Sequence, residues 1–296
     1  MRKLRKFAAG AGVAVSALAL MAIGAGSASA HTGEWAAFNN CPSTNPSAFK
    51  CLHSVTNGGS VKLGKKVVPI VNPVTLDGGV TEESFEEGPE EGFAHFVAAA
   101  NGQTLSKTPQ PVPGGLAGLV NCKEISNFIV RLACEAVFEN GLTGVNATLE
   151  LARPASEIRV SQRNLVFEEG IALEMPVKVH LENPFLGSGC YVGSSGSPLT
   201  WKLTTGTTSS PTPIKGTGGE LSFTEEAQIL HVKGTSLVDN TWTAPGASGC
   251  GGFGVELLLN PIINSMVGLP AGAGVNVSKL EKVNTDVALA EEVNNH

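Results

Sequence analysis

Ile171-Ala172-Leu173-Glu174-Met175-Pro176-Val177-Lys178-Val179-His180-Leu181-Glu182 is the stretch that decides the fold. Its odd positions are all apolar, and its even positions are mostly polar or charged. A period of two places one set on a buried face and the other on a wetter one, the pattern of a half-buried antiparallel strand. Pro176 has no N–H to give to a ladder, so it predicts a sheet edge or a bulge.

The same alternation recurs outward along the chain, at Val145, Ala147, Leu149 and Leu151, at Ile158 and Val160, and at Leu199, Trp201 and Leu203. It continues at Leu221 with Phe223, Leu230 with Val232 and Val287 with Leu289, while Val61 to Leu63, Val67 to Val71 and Val74 to Leu76 read as shorter strands. Phe93 to Ala99, the turn Asn101-Gly102 and Thr104-Leu105 predict a hairpin. Helical signals are sparse. Asn121 to Glu124 has capping-box spacing ahead of Ile125, Ile129 and Leu132, and Asn260-Pro261 predicts a short helix over Ile262 to Val267. Thr204 to Gly219, rich in Thr, Ser, Pro and Gly, reads as a long surface loop. The expected class is all-β, an antiparallel sandwich or barrel with one or two short helices.

At the N-terminus, Arg2, Lys3, Arg5 and Lys6 precede an apolar run from Phe7 to Ile23 and the small-x-small site Ala28-Ser29-Ala30. This is the pattern of a secretory signal peptide over 1–30, cleaved before His31. The expected product is a secreted, extracellular single domain over 31–296. Removing the four basic residues of the leader leaves 16 basic against 26 acidic residues, a net charge of −10. Such a surface argues against nucleic acid as partner. The best late apolar run, Phe253 to Val267, is interrupted by Glu256, Asn260 and Pro261, so no transmembrane segment is expected in the mature chain.

All six cysteines, Cys41, Cys51, Cys122, Cys134, Cys190 and Cys250, follow the leader. An even number in an exported chain predicts disulfides. Of the fifteen possible pairings, closeness in sequence favours Cys41–Cys51 and Cys122–Cys134, leaving Cys190–Cys250 to close the longest loop. One continuous helix would hold Cys122 and Cys134 about 18 Å apart, so their pairing requires the chain to turn back between them. No CxxC pair and no two histidines at ligand spacing suggest zinc.

Catalytic motifs are wanting. Gly193-Ser194-Ser195-Gly196-Ser197 lacks the final glycine of a nucleophile elbow. Gly59 to Lys65 fits a phosphate-loop pattern, but Lys66 stands where its Ser or Thr belongs, and the flanking valines read as strand. Only three aspartates occur, Asp77, Asp239 and Asp286. Glu82, Glu83, Glu86, Glu87, Glu90 and Glu91 crowd the segment 81–92, where a solvated acidic loop accounts for them better than a cation site. Trp201, flanked by Leu199 and Leu203, reads as core.

Several stretches resemble a group of secreted actinobacterial proteins of unknown function: Glu139 to Val145, Pro176 to Gly193 through Cys190, Leu237 to Gly252 through Cys250, and Asn260 to Asn264 with Leu269-Pro270. The resemblance implies export and disulfides and carries over no catalytic residue. The expected function is that of a non-enzymatic β-domain, binding or structural at the cell envelope, with an envelope component or an apolar ligand as partner and no metal or cofactor. The alternative is a secreted enzyme. It would be either a hydrolase built on glutamates that converge in space or a copper oxidase at a mature N-terminal His31, with His53, His95, His180 or His231 as the second imidazole.

Overall fold

The computed structural model describes residues 30–296 apart from 89, 116–122, 124–125, 129–130, 132–134, 136–143 and 252–255. The chain is an antiparallel β-sandwich whose sheet does not close into a barrel. Fourteen strands are described: β1 Lys50–Leu63, β2 Lys66–Pro69, β3 Val74–Val80, β4 Ala94–Ala98, β5 Pro109–Pro111, β6 Asn146–Leu151, β7 Arg159–Val160, β8 Leu173–Glu182, β9 Tyr191–Val192, β10 Leu199–Leu203, β11 Glu220–Thr224, β12 Ile229–Asp239, β13 Ala247–Ser248 and β14 Val277–Leu289. The described helices are α1 Gln162–Phe167, α2 Glu256–Val267 and α3 Ala290–Asn295, with 3-10 turns at Gly33–Phe38 and Ala155–Glu157.

One layer runs β11-β12-β14-β1-β3, with β2 on the second half of β1. The other runs β7-β8-β6-β5, with β10 and β9 on the free side of β8 and β13 beyond β9. The layers join at β4. Its residues 96–98 pair with β3 and its residues 94–95 with β7, so one strand turns the corner of the sandwich.

The decisive stretch is β8, and its odd positions Leu173, Met175, Val177, Val179 and Leu181 are all buried. Pro176 lies in neither an edge nor a bulge. On one side β8 pairs with β10 and then β9. On the other it pairs with β7 at 173–174 and with β6 from 177 onward. The carbonyl of Pro176 accepts the N–H of Ala152 on the β6 side. Since the donor and acceptor of one strand residue point to the same side, the missing N–H falls where β7 hands over to β6.

Other expectations are corrected in the same way. The turn at 99–102 forms through Gly102 N–H to Ala99 O, but Leu105 bridges to Leu76 on β3 rather than back to β4, so there is no hairpin. The helix expected over 262–267 already includes Glu256 and holds Pro261 inside it. Asn260 does not cap it: its side chain accepts the N–H of Cys250. The segment 204–219 is not a surface loop throughout. Thr204, Thr205, Thr208 and Ser210 are buried, and bridges Thr204–Val238 and Thr217–Ser236 stitch it to β12. The helix signal at 121–132 and the cysteines Cys122 and Cys134 lie outside the described residues.

Among the described residues two disulfides are present, Cys41–Cys51 and Cys190–Cys250. Each lies in a core. The main core lies between the layers and includes Cys190 and Cys250. A smaller one, with Phe38, Cys41, Cys51, Ile229, Ala288 and Val293, covers part of the outer face of the first layer beneath the 3-10 turn and α3. Among the described residues no helix is long and apolar enough to cross a membrane.

Candidate functional site

Directly paired residues of neighbouring strands share a face, so the register sorts the side chains of the first layer. Leu52, Ser54 and Thr56 on β1 match Val287, Thr285 and Val283 on β14, and all point between the layers. The alternate positions point outward.

The inward faces do not meet everywhere. Between them lies a cavity of about 100 Å³. A single water needs roughly 10–15 Å³. The walls come from both layers: Val61 and Leu63 of β1, Val68 of β2, Leu149 of β6, Met175 and Val179 of β8, with Trp201 of β10 closing one side. The hydroxyls on the wall are partly occupied, since Ser54 Oγ meets Thr285 Oγ1 at 2.8 Å and Thr108 Oγ1 meets Ser106 Oγ at 2.9 Å. Gln110 is spent on the 70–72 turn, where its Oε1 accepts the N–H groups of Val71 and Asn72. What remains is an apolar enclosure. Water gains little there, and an apolar molecule is stabilised by leaving water.

On the opposite, outer face of the first layer, four titratable groups stand in one row. His231 of β12 is in register with Asp286 of β14, Asp286 with His53 of β1, and His53 with Asp77 of β3. His231 Nδ1 lies 2.7 Å from Asp286 Oδ1, and His53 Nδ1 lies 2.5 Å from Asp77 Oδ1. Thr224 Oγ1 and Asn40 Nδ2 close the two ends, at 3.0 Å from His231 Nε2 and 3.1 Å from Asp77 Oδ2. Two of the three aspartates therefore sit with two histidines in a place that no sequence motif marked. Only strand register brings positions 53, 77, 231 and 286 together. The Thr224–His231–Asp286 half has the order hydroxyl, imidazole, carboxylate of an activated nucleophile. Neither the intersheet cavity nor the shallow hollow beside His180 includes any residue of the row.

The hydrogen bond to Asp77 raises the pKa of His53 above its ordinary 6.5; burial opposes this, and the charges of Asp77 and Asp286 add to the rise. A histidine with a raised folded pKa contributes stability that is fully present below the unfolded value and is lost as pH rises through the folded value. Thermal melts from about pH 5 to pH 9 should therefore show stability falling on the alkaline side of about 6.5. His53→Gln should flatten that fall, and an unchanged slope in the variant would refute the assignment.

Other expected residues are placed as follows. His31 donates its backbone N–H to Asn39 Oδ1 at 2.7 Å. His95 Nε2 meets Glu90 Oε2 at 3.1 Å, and Arg159 ties Glu90 to Glu174 while lying over the Phe93 ring. The acidic segment is thus not wholly solvated, because Glu90 is fastened to β7 and β8. On the outer face of the second layer, buried Glu150 draws Lys178 to 3.3 Å and His180 to 3.7 Å, and the Tyr191 ring stacks on His180. Trp201 is fully buried, as core. Trp242 is buried beside it, with ring centroids 6.1 Å apart, and Trp35 stacks on His296. Among the described residues no three His, Cys, Asp or Glu side chains are grouped to hold a metal ion.

Comparison of the chain with protein-family models, with curated proteins and with solved structures returns no match; the two disulfides among the described residues fit the disulfide-containing character of the proteins it resembles.

Proposed function

We propose that this protein is an exported, non-enzymatic binding domain that holds an apolar molecule, such as the acyl or isoprenoid segment of an envelope lipid, between its two sheets. The apolar lining of the intersheet cavity carries the reading. Natural cores pack to crystal-like density with few voids larger than a water. A core that leaves this much apolar space forgoes packing energy unless something fills it. Export is supported by the leader pattern and by the two buried disulfides, which persist in oxidising compartments.

A chain-length series tests the proposal. Normal alcohols from hexanol to hexadecanol should bind with an affinity that rises about fourfold per methylene, from roughly 0.8 kcal/mol each, until the cavity is full. Ala147→Phe, on the cavity wall, should abolish the rise while leaving the outer faces unaltered. Binding that does not depend on chain length, or that survives Ala147→Phe unchanged, would rule the cavity out as the site.

A further inference from the structure

The two ends of the strand path are treated differently. At one end, β5 carries Pro109 and Pro111, which cannot donate to an added strand. At the other, β11 reads Glu220-Leu221-Ser222-Phe223-Thr224, with no proline, no lysine and no described strand on its outer side. Leu221 is in register with Val232 and Phe223 with Leu230, so both belong to the inward face. Yet they are 51% and 57% exposed, because β11 overhangs the second layer. Phe167 of α1 is 67% exposed, and its helix abuts the approach to β11, where the carbonyl of Val166 lies near Gly218. An open backbone edge and an uncovered apolar stripe thus coincide.

We propose that β11 pairs antiparallel with β11 of a second copy of this chain, about a two-fold axis through Ser222, so that the first layer continues across the dimer. The charges on β11 are compatible with this register and oppose the one centred on Phe223. With Ser222 opposite itself, Leu221 faces Phe223 of the other copy, Glu220 faces Thr224, and Glu225 faces Gly219, so no carboxylate meets another. Moving the axis to Phe223 sets Glu220 against Glu226 and Leu221 against Glu225, which opposes like charges and strands an apolar side chain. A two-fold contact is self-complementary, so each favourable pair occurs twice.

Sedimentation equilibrium of the oxidised full-length mature chain tests this. The wild type should be dimeric at tens of micromolar. Leu221→Glu with Phe223→Glu should be monomeric at the same concentration, and should melt where the wild type melts once it is diluted to the monomer. Ser222→Cys supplies a second readout that requires no loss of apolar surface. Cα atoms of directly opposed residues lie about 4.5–5.5 Å apart, within disulfide range. This variant should therefore form a disulfide-linked dimer faster than Ser209→Cys, an exposed control outside β11. A monomeric wild type, a dimer that persists in the double glutamate variant, or equal cross-linking at 222 and 209 would each overturn the proposal.

Discussion

Replacing Cys190 and Cys250 together by alanine should lower the unfolding free energy by about 4 kcal/mol. The bond closes a loop of 60 residues, and in the chain-entropy account the cost of leaving such a loop open in the unfolded chain comes to roughly that value. The Cys41–Cys51 bond closes only 10, and its removal should cost about 1.5 kcal/mol less by the same logarithm. The location adds to the ranking. Cys190 and Cys250 are both fully buried in the main core, and the chain beside them ties the layers to α2: Leu181 donates to Cys190 O, Gly251 donates to Leu186 O, and Asn260 of α2 accepts from Cys250. Serine in place of alanine should be worse, because each hydroxyl would need a partner in an apolar setting. Denaturant titrations of the two double variants, compared at equal slope, measure the difference. A larger loss at Cys41 and Cys51 would contradict the ranking.

The second large effect is at Trp201. Its side chain is the largest fully buried one among the described residues, it forms part of the cavity wall, and it packs at a tilt on Trp242. Trp201→Ala should cost about 3–5 kcal/mol, since it removes an indole's worth of contacts beside a space that is already open. Trp201→Phe should behave differently. The indole Nε1 has no hydrogen-bond partner among the described residues, and a buried donor left unmade costs about 1–3 kcal/mol. Phenylalanine gives up apolar area but also removes that donor, so the net loss should stay within about 1 kcal/mol. A loss for Trp201→Phe well above about 1 kcal/mol, read from thermal or denaturant melts, would show that the indole N–H is bonded.

The alternating stretches made the sandwich legible because period two is a property of single strands. Ile171 to Glu182 tells which side chains face inward without reference to any neighbour. What the neighbours decide was not legible. Pro176 suggested an edge because proline is excluded from continuous ladders, and a ladder that changes partner at one residue cannot be seen in one strand. The row His231–Asp286–His53–Asp77 depends on three registers at once, across residues up to 233 apart in sequence. The cavity was illegible for another reason. Val61, Leu149 and Val179 look the same to a pattern whether the opposite wall touches them or stands several ångströms away.

The place of β14 orders events in time. The last strand of the chain lies between β12 and β1 in the middle of its layer, paired with β1 over residues 50–62 and with β12 over 230–239. A chain delivered from its N-terminus therefore presents β1 with one long edge unsatisfied until nearly three hundred residues have emerged. Contacts so distant in sequence form slowly, because the intervening loop must close before they contribute. The final strand acts as a key: until it arrives, the first layer stays open between β12 and β1.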